Sequence, residues 1–216
     1  MVNMKRTRLT RDESREQTRK HLLDAAMKLI AGKGLTASSV EDITREAGYT
    51  RGAFYSNFSS KNALFLALLE RLHQQEMASF DQLYDTCDDL LQLREQTRAL
   101  FRGINRNKDC CICWTEAHLL AARDDEFRIP FNALTRQTID KIASYIRHFY
   151  QIAGYESPVP AEAVAFGILS VGDGVQVHQI SNVAQGDAWG EMVLEHYIGN
   201  LMDEVFFKAL VQEPLE

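Results

Sequence analysis

Apolar residues along this chain recur at helical intervals, and glycine or proline interrupts the run wherever one stripe gives way to the next. Leu22, Ala26, Leu29 and Ile30 stand at i, i+4, i+7 and i+8, one face of a helix that Gly32 and Gly34 bring to an end. Ser38-Ser39-Val40-Glu41 has the S-x-x-E form of a capping box, so a helix with Ser38 as N-cap and Glu41 at its third position is expected. Gly48 stops that helix after Ala47, a short segment follows from Thr50 to Phe58, and Ser59-Ser60 precede a long pattern from Lys61 to about Phe80. Further stripes predict helices near 87–106 (Leu90, Leu93, Leu100, Ile104), 110–123 and 126–153 (Ile139, Ile142, Ile146, Phe149). The Gly154–Pro160 stretch is the clearest break in the second half. Two more stripes follow, near 160–183 and 188–210. No segment alternates with period two. The expected fold is all-α.

Charge divides this helical chain. The whole carries 24 Lys+Arg and 30 Asp+Glu, a net of −6, which by itself disfavours a nucleic-acid partner. Residues 1–78, however, hold 13 basic and 9 acidic side chains, a net of +4, and residues 79–216 a net of −10. A basic head on an acidic body suggests that the head meets a polyanion. The first residues, from Lys5 to Arg11, either add phosphate or minor-groove contacts or form a disordered tail. Four cysteines are too few for a disulfide scaffold. No run approaches the roughly 18 apolar residues of a membrane span, and Met1–Arg8 lacks the apolar stretch of a signal peptide. A cytoplasmic protein without a membrane partner is expected.

The most informative pattern lies within residues 38–58. Val40, Ile43 and Ala47 supply the inner face of one short helix, Gly48 the turn, and Phe54 and Phe58 the anchor of a second. Two short helices joined by a glycine turn form a helix-turn-helix, whose second helix enters the DNA major groove. That helix presents Arg51, Gly52, Ser56 and Asn57, with Tyr55 beside them. Arg pairs bidentately with guanine and Asn with adenine, and small residues let the backbone approach the duplex. Helix starts at Ser38/Ser39 and Ser60–Lys61 offer N–H groups, hydroxyls and a lysine to phosphates.

The wording from Val40-Glu41-Asp42-Ile43-Thr44-Arg45-Glu46-Ala47-Gly48-Tyr49 through Thr50-Arg51-Gly52-Ala53-Phe54-Tyr55-Ser56-Asn57-Phe58 to Ser59-Ser60-Lys61-Asn62-Ala63-Leu64-Phe65 closely resembles the DNA-binding segment of the tetracycline-repressor (TetR) family. The Gly32-Lys33-Gly34 lead-in matches as well, and the resemblance covers roughly residues 15–70. It implies a homodimeric, ligand-released repressor of about nine helices. A three-helix DNA-binding head and a linking helix would precede a larger C-terminal helical bundle for effector binding and dimerisation. The corresponding boundaries are a basic flexible arm (1–14), the DNA-binding domain (15–60), the linking helix (61–80) and the effector and dimerisation domain (81–216). By position, Thr50, Arg51, Gly52, Tyr55, Ser56 and Asn57 would face a double-stranded operator, and Tyr49 and Lys61 would touch its backbone. Thr44 departs from the family, which often has a small apolar residue inside the hairpin. A buried threonine can satisfy its hydroxyl on a preceding carbonyl.

In the body, Val164, Ile168, Val171 and Val175 share the spacing of Leu194, Ile198, Leu201 and Val205. The two stripes could form a two-fold four-helix interface with a second copy, or face their own core. Gly167, Gly172 and Gly174 mark either close backbone contact at that seam or, with Asp173, a break in the helix. Phe101, Trp114, His118, Tyr145, Phe149, Phe166 and His178 are candidates for an effector pocket of unspecified chemistry, or ordinary core residues. Cys110, Cys111 and Cys113 raise the alternative of a thiol or metal sensor, with His118 or Cys87 as a further ligand. Helical spacing is unfavourable for a disulfide among them, and free cysteines commonly pack as small hydrophobes. No cofactor is implied. No phosphate loop, G-x-S-x-G, H-E-x-x-H or di-iron E-x-x-H pair occurs, so an enzyme is not expected. A helical adaptor without DNA binding is the other alternative.

Overall fold

The computed structural model describes residues 10–84, 89–103, 107–181 and 186–212, and among these residues nine α-helices and no strand. They are α1 (Arg11–Lys33), α2 (Val40–Ala47), α3 (Arg51–Tyr55), α4 (Lys61–Tyr84), α5 (Leu90–Gly103), α6 (Lys108–Ala121), α7 (Asp125–Ile152), α8 (Ala161–Ser181) and α9 (Gly186–Gln212). The all-α expectation holds.

Local chemistry sets the boundaries of the head. Thr10 caps α1 through a reciprocal box: the Glu13 N–H donates to the Thr10 hydroxyl at 3.2 Å, and the Thr10 N–H donates to the Glu13 carboxylate at 2.7 Å. Those hydrogen bonds hold the Glu13 carboxyl below its usual range. The helix therefore starts at Arg11, and residues 11–14 belong to it rather than to a flexible arm. Residues 1–9 of that arm lie outside the described residues.

The second cap corrects the expected register by one residue. Ser39, with Asp42 at the third position, makes the capping box of α2. Ser38 is fully buried, and its hydroxyl donates to the Gly34 carbonyl at 2.8 Å. Both Ser38…Glu41 and Ser39…Asp42 satisfy the box pattern, and burial of Ser38 decides between them. Gly48 ends α2 in the left-handed region (φ 75°), which only glycine enters without strain. Thr44 is buried and donates to the Glu41 carbonyl at 3.1 Å, as expected for a threonine at that position.

Two apolar clusters hold the molecule together, and their division does not follow the expected domain boundary. The first joins the head (Leu22, Ala26, Ile30, Ile43, Phe54 and Phe58) to Leu64, Phe65, Leu68 and Leu69 of α4. It continues into Cys110, Cys113 and Ala117 of α6 and into Phe127, Phe131 and Leu134 of α7. The second gathers Leu93 of α5, Ile142, Ala143, Ile146, Phe149 and Tyr150 of α7, Ala153 at the C-cap of that helix, Ala161 and Ala165 of α8, and Ile198 of α9. α7 runs through both. α8 is continuous across Gly167, Gly172 and Gly174, so no break occurs there. Around each of these glycines a Cβ would meet nothing within 4 Å among the described residues.

Phe65 lies at the centre of the first cluster, wholly buried and stacked on Phe127 at 5.7 Å between ring centroids. Replacing it with alanine removes contacts on both sides of the head–body boundary, and Phe65→Ala is expected to destabilise the fold by about 3–5 kcal/mol. Urea unfolding followed by circular dichroism should remain one cooperative transition, shifted to lower denaturant. Two separated transitions would show that the head folds independently of α6 and α7.

Candidate nucleic-acid interface

The surface of α3 combines small residues with a cationic group. Thr50 caps the helix, its hydroxyl accepting from the Ala53 N–H at 3.2 Å. Phe54 is wholly buried and Phe58 nearly so, which fixes the rotation of α3 and turns Arg51, Gly52, Tyr55 and Ser56 outward. Tyr55 is 48% exposed, high for a large aromatic ring. No atom beyond the Thr50 hydroxyl, at 3.7 Å, would approach a Cβ on Gly52. Arg51 contacts Glu41 of α2, Nη1 to Oε1 at 2.9 Å, and its guanidinium lies 5.5 Å from the Tyr55 ring centroid. The Tyr55 hydroxyl and the Glu41 carboxylate raise the Arg51 pKa.

The remaining expected contacts divide. Ser39 is exposed at the start of α2, and its oxygen accepts from Asp42, which leaves the hydroxyl proton for an outside acceptor. Ser38 is not available, because it is buried and bonded to Gly34. Asn57 folds back on its own helix, its amide donating to the Ala53 carbonyl at 2.9 Å while Oδ1 is buried without a protein partner. Ser56 also donates to that carbonyl, at 2.9 Å. The amide of Asn57 is thus turned toward the last turn of α3 rather than projecting from it. Lys61 is half-buried and donates to the Leu35 carbonyl at 2.8 Å, and burial lowers its pKa. Tyr49 is half-buried, with its hydroxyl 3.0 Å from His21 Nδ1.

Sequence spacing assigned Glu41 only a capping role and did not single out His21, since their contacts with Arg51 and Tyr49 cross between helices. Charges on α2 form pairs that hold the head rigid: Lys33–Asp42 at 2.7 Å, Lys28–Glu46 at 2.5 Å, and Arg45–Asp42. Lys33 and the Ser39 cap hold the Asp42 carboxyl far below the usual carboxylate range.

Of the pocket candidates, Trp114 and His118 come together around Phe131, with centroid separations of 6.3 Å and 5.0 Å. The Trp114 indole nitrogen is buried without a protein partner, and His118 Nε2 lies 3.6 Å from Asp173 on α8. The others stand apart. Tyr145 is buried and donates to Asp81 at 2.6 Å, and Phe149 belongs to the second core cluster. Phe166 is 60% exposed and His178 is also exposed, so neither lines an interior. The side chain of Phe101 lies outside the described residues.

Half of the stripe expected at the dimer seam packs against its own chain. Val164, Ile168, Leu194 and Ile198 pack on the second core cluster of their own chain, and a Cβ on Gly190 would lie 2.8 Å from Val175 Cγ1. Val171 and Leu201 are half-buried, and the side chain of Val205 lies outside the described residues. The outer apolar face is offset: Phe166 and Val177 on α8, and Trp189, Met192, Val193 and Tyr197 on α9. Both faces of α8 are apolar, so spacing alone selects a stripe without saying which way it points.

The cysteines sit in an unbroken α6. Cys110, Cys111 and Cys113 are all buried, and burial together with Cys110, Asp109 and Glu116 pushes the Cys113 thiol up to about 12. A neutral, enclosed thiol is a poor nucleophile and a poor metal ligand. Among the described residues no group of three His, Cys, Asp or Glu could hold a metal, and Cys87 lies outside them.

Comparison with known proteins identifies the head. Residues 22–68 match the model of the bacterial regulatory proteins, tetR family. Its helix-turn-helix head is therefore similar to the DNA-binding segment of the TetR family. It is 41% identical over 63 residues to the HTH-type transcriptional regulator AcrR of Shigella flexneri, 29% of each chain. It is 33% identical over 99 residues to the HTH-type transcriptional regulator TtgR of Pseudomonas putida, 45% of this chain and 47% of that one. The chain thus matches less than half the length of these TetR-family relatives. The whole architecture recurs in solved structures. Salmonella enterica GusR superposes with a TM-score of 0.70 at 18% identity, covering 93% of this chain and 99% of that one. A protein from Saccharomonospora viridis, solved in complex with choline, gives 0.65 at 20% identity, covering 85% of this chain and 96% of that one. At such identities the likeness concerns the fold.

Native protein at pH 8 should leave Cys113 unreacted with Ellman's reagent over minutes, and the same reagent should titrate it fully in guanidinium. Rapid native reaction at Cys113, mapped by mass spectrometry, would instead restore the thiol-sensor reading.

Proposed function

We propose that the chain is a homodimeric DNA-binding transcriptional regulator, a repressor that a small-molecule effector releases from a near-palindromic operator. The observation that carries the reading is the outer face of α3. Arg51, Gly52, Tyr55 and Ser56 project from a capped, glycine-turned helix pair whose sequence is that of the TetR-family DNA-binding segment. Arg51 reads a guanine edge, Gly52 permits close approach, and Thr50, Tyr55, Ser39, Tyr49 and Lys61 position the head on phosphates. The protein acts by binding and release rather than catalysis. Its place is the cytoplasm, where the operator is.

Two arrangements support release by an effector. Phe131, Trp114 and His118 gather where α6 and α7 meet, with an unpartnered indole N–H available to a ligand's acceptor. α6 in turn bears on the head: a Cβ on Gly34 would lie 3.1 Å from the Glu116 carboxylate, and Asn62 of α4 donates to the Asp124 carboxylate capping α7 at 3.2 Å. A ligand that shifts α6 moves α1 and α4 with it and changes the spacing of two heads. Coupling of about 1–3 kcal/mol, or 5–150-fold in operator affinity, is the usual range for such a switch. The choline complex of the Saccharomonospora viridis protein supports a small-molecule ligand in this architecture.

The offset apolar face of α8 and α9 supports the homodimer. Phe166, Trp189 and Tyr197 are each about 60% exposed, and large exposed apolar surface marks protein–protein contact sites. Pairing two copies through these helices makes an isologous four-helix seam and sets two heads on half-sites a helical turn, about 34–36 Å, or its multiples apart.

Selection of duplexes from a random library should recover a near-palindrome, and the affinity for it should fall steeply with salt, with a log–log slope of about −0.9 per phosphate neutralised. Tyr55→Ala should weaken binding to all duplexes, while Arg51→Ala should also relax base preference at one pair. Recovery of no sequence would favour a helical adaptor. In sedimentation, Trp189→Arg should shift the protein from dimer to monomer while leaving its helicity intact, and a variant that remains dimeric would place the seam elsewhere. A thermal-shift screen against metabolites and drugs should then identify the compound that releases the selected duplex.

A further inference from the structure

We propose that Glu41 is a specificity-positioning residue of the reading face, one that sharpens base discrimination by Arg51 while lowering affinity for DNA in general. The inference rests on the reading of α3 as the DNA-reading helix. Arg51 is a long side chain on a five-residue helix, more than half exposed, and unrestrained it would sample many rotamers. Two groups limit it here. The Glu41 carboxylate takes Nη1 at 2.9 Å, and the Tyr55 ring lies alongside the guanidinium, 5.5 Å from its carbon.

The geometry of the fork gives the contact its consequence. A guanidinium carries five donors. With Nη1 directed to Glu41, the Nε–Nη2 edge has the two parallel N–H bonds that match O6 and N7 of guanine. Glu41 is itself well placed for this task. It stands in the first turn of α2, where a negative side chain is favoured by the helix dipole, and α2 is fixed by the Ser39–Asp42 box and by Lys33. The contact crosses the Gly48 turn and so ties the orientation of the reader on α3 to the rigid helix behind it. A carboxylate at this surface also repels phosphates whatever the sequence. Removing its charge should therefore act in two opposite directions.

The test uses the full-length protein and the duplex that the wild type selects from random sequence. Wild type, Glu41→Gln, Arg51→Ala and the double variant are titrated at one salt concentration against that duplex, its single base-pair variants and an unrelated duplex. Glu41→Gln should bind the unrelated duplex more tightly than wild type does. At the pair where Arg51→Ala abolishes preference, it should reduce discrimination about threefold or more, out of the 5–150-fold that a bidentate contact supplies. On the Arg51→Ala background the same change should leave discrimination unaltered. Thermal melting of each variant near the wild-type temperature ensures that these are effects on reading.

Retention of wild-type discrimination by Glu41→Gln, where Arg51→Ala has lost it, would overturn the positioning role and leave the DNA-reading role of α3 standing. An equal loss on both backgrounds would overturn it as well, since the effect would then not pass through Arg51. Selection of no sequence by the wild type, or unchanged preference in Arg51→Ala, would overturn the reading of α3 and the inference with it.

Discussion

The apolar core shared by α1, α4, α6 and the first half of α7 is the constraint on which the rest of the structure depends. A three-helix head with α2 of eight residues and α3 of five has little interior of its own. Leu22, Ala26, Ile30, Ile43 and Phe54 have no exposed surface because Leu64, Phe65 and Leu68 of α4, and Cys113 and Ala117 of α6, close over the same cluster. Short helices are marginal alone, and tertiary packing supplies most of their stability. The reading surface is therefore rigid because its underside belongs to the body. A displacement of α6 cannot leave the head where it was, since close-packed interiors transmit strain rather than absorb it.

Electrostatics adds orientation to that rigidity. The ion pairs along α2 are largely exposed and individually contribute little to stability. Their effect is to limit where side chains stand. Asp42 caps α2 and takes Lys33, and Glu41 faces Arg51. An overall acidic chain thus carries a small basic face on its head, in which several of the cations are already held by carboxylates.

Part of this was legible in residue order and part was not. The glycine turn at Gly48, the buried anchors Phe54 and Phe58, and the exposed series Arg51, Gly52, Tyr55 and Ser56 follow from spacing, because a five-residue helix with two fixed rings has one rotation available. Asn57, expected to face the operator, bonds back to its own helix here. A side chain one position past Ser56 can either project or bond back to its helix, and only the position of the Ala53 carbonyl decides. Ser38 failed for a related reason. Two overlapping capping boxes are written in the same five residues, and burial of Ser38 selects the second. The cysteine run invited sensor chemistry from residue type, whereas enclosure in α6 leaves Cys113 as a packed, protonated thiol.

The sequence by itself determined the all-α character of the described residues, where glycines and prolines divide them, and which short helix pair presents the exposed Arg51, Gly52, Tyr55 and Ser56. Those properties depend on neighbours within a few positions along the chain. Tertiary structure alone decided which side of α8 and α9 faces outward. It placed Ile198 in the chain's own core with Val164 and Ile168 packed against it, and left Phe166, Trp189 and Tyr197 exposed. It also decided that Glu41 meets Arg51 and that Glu116 bears on Gly34. Helical periodicity specifies that a helix has an apolar face, but not what that face meets. The partner is fixed only when distant segments close around a common core.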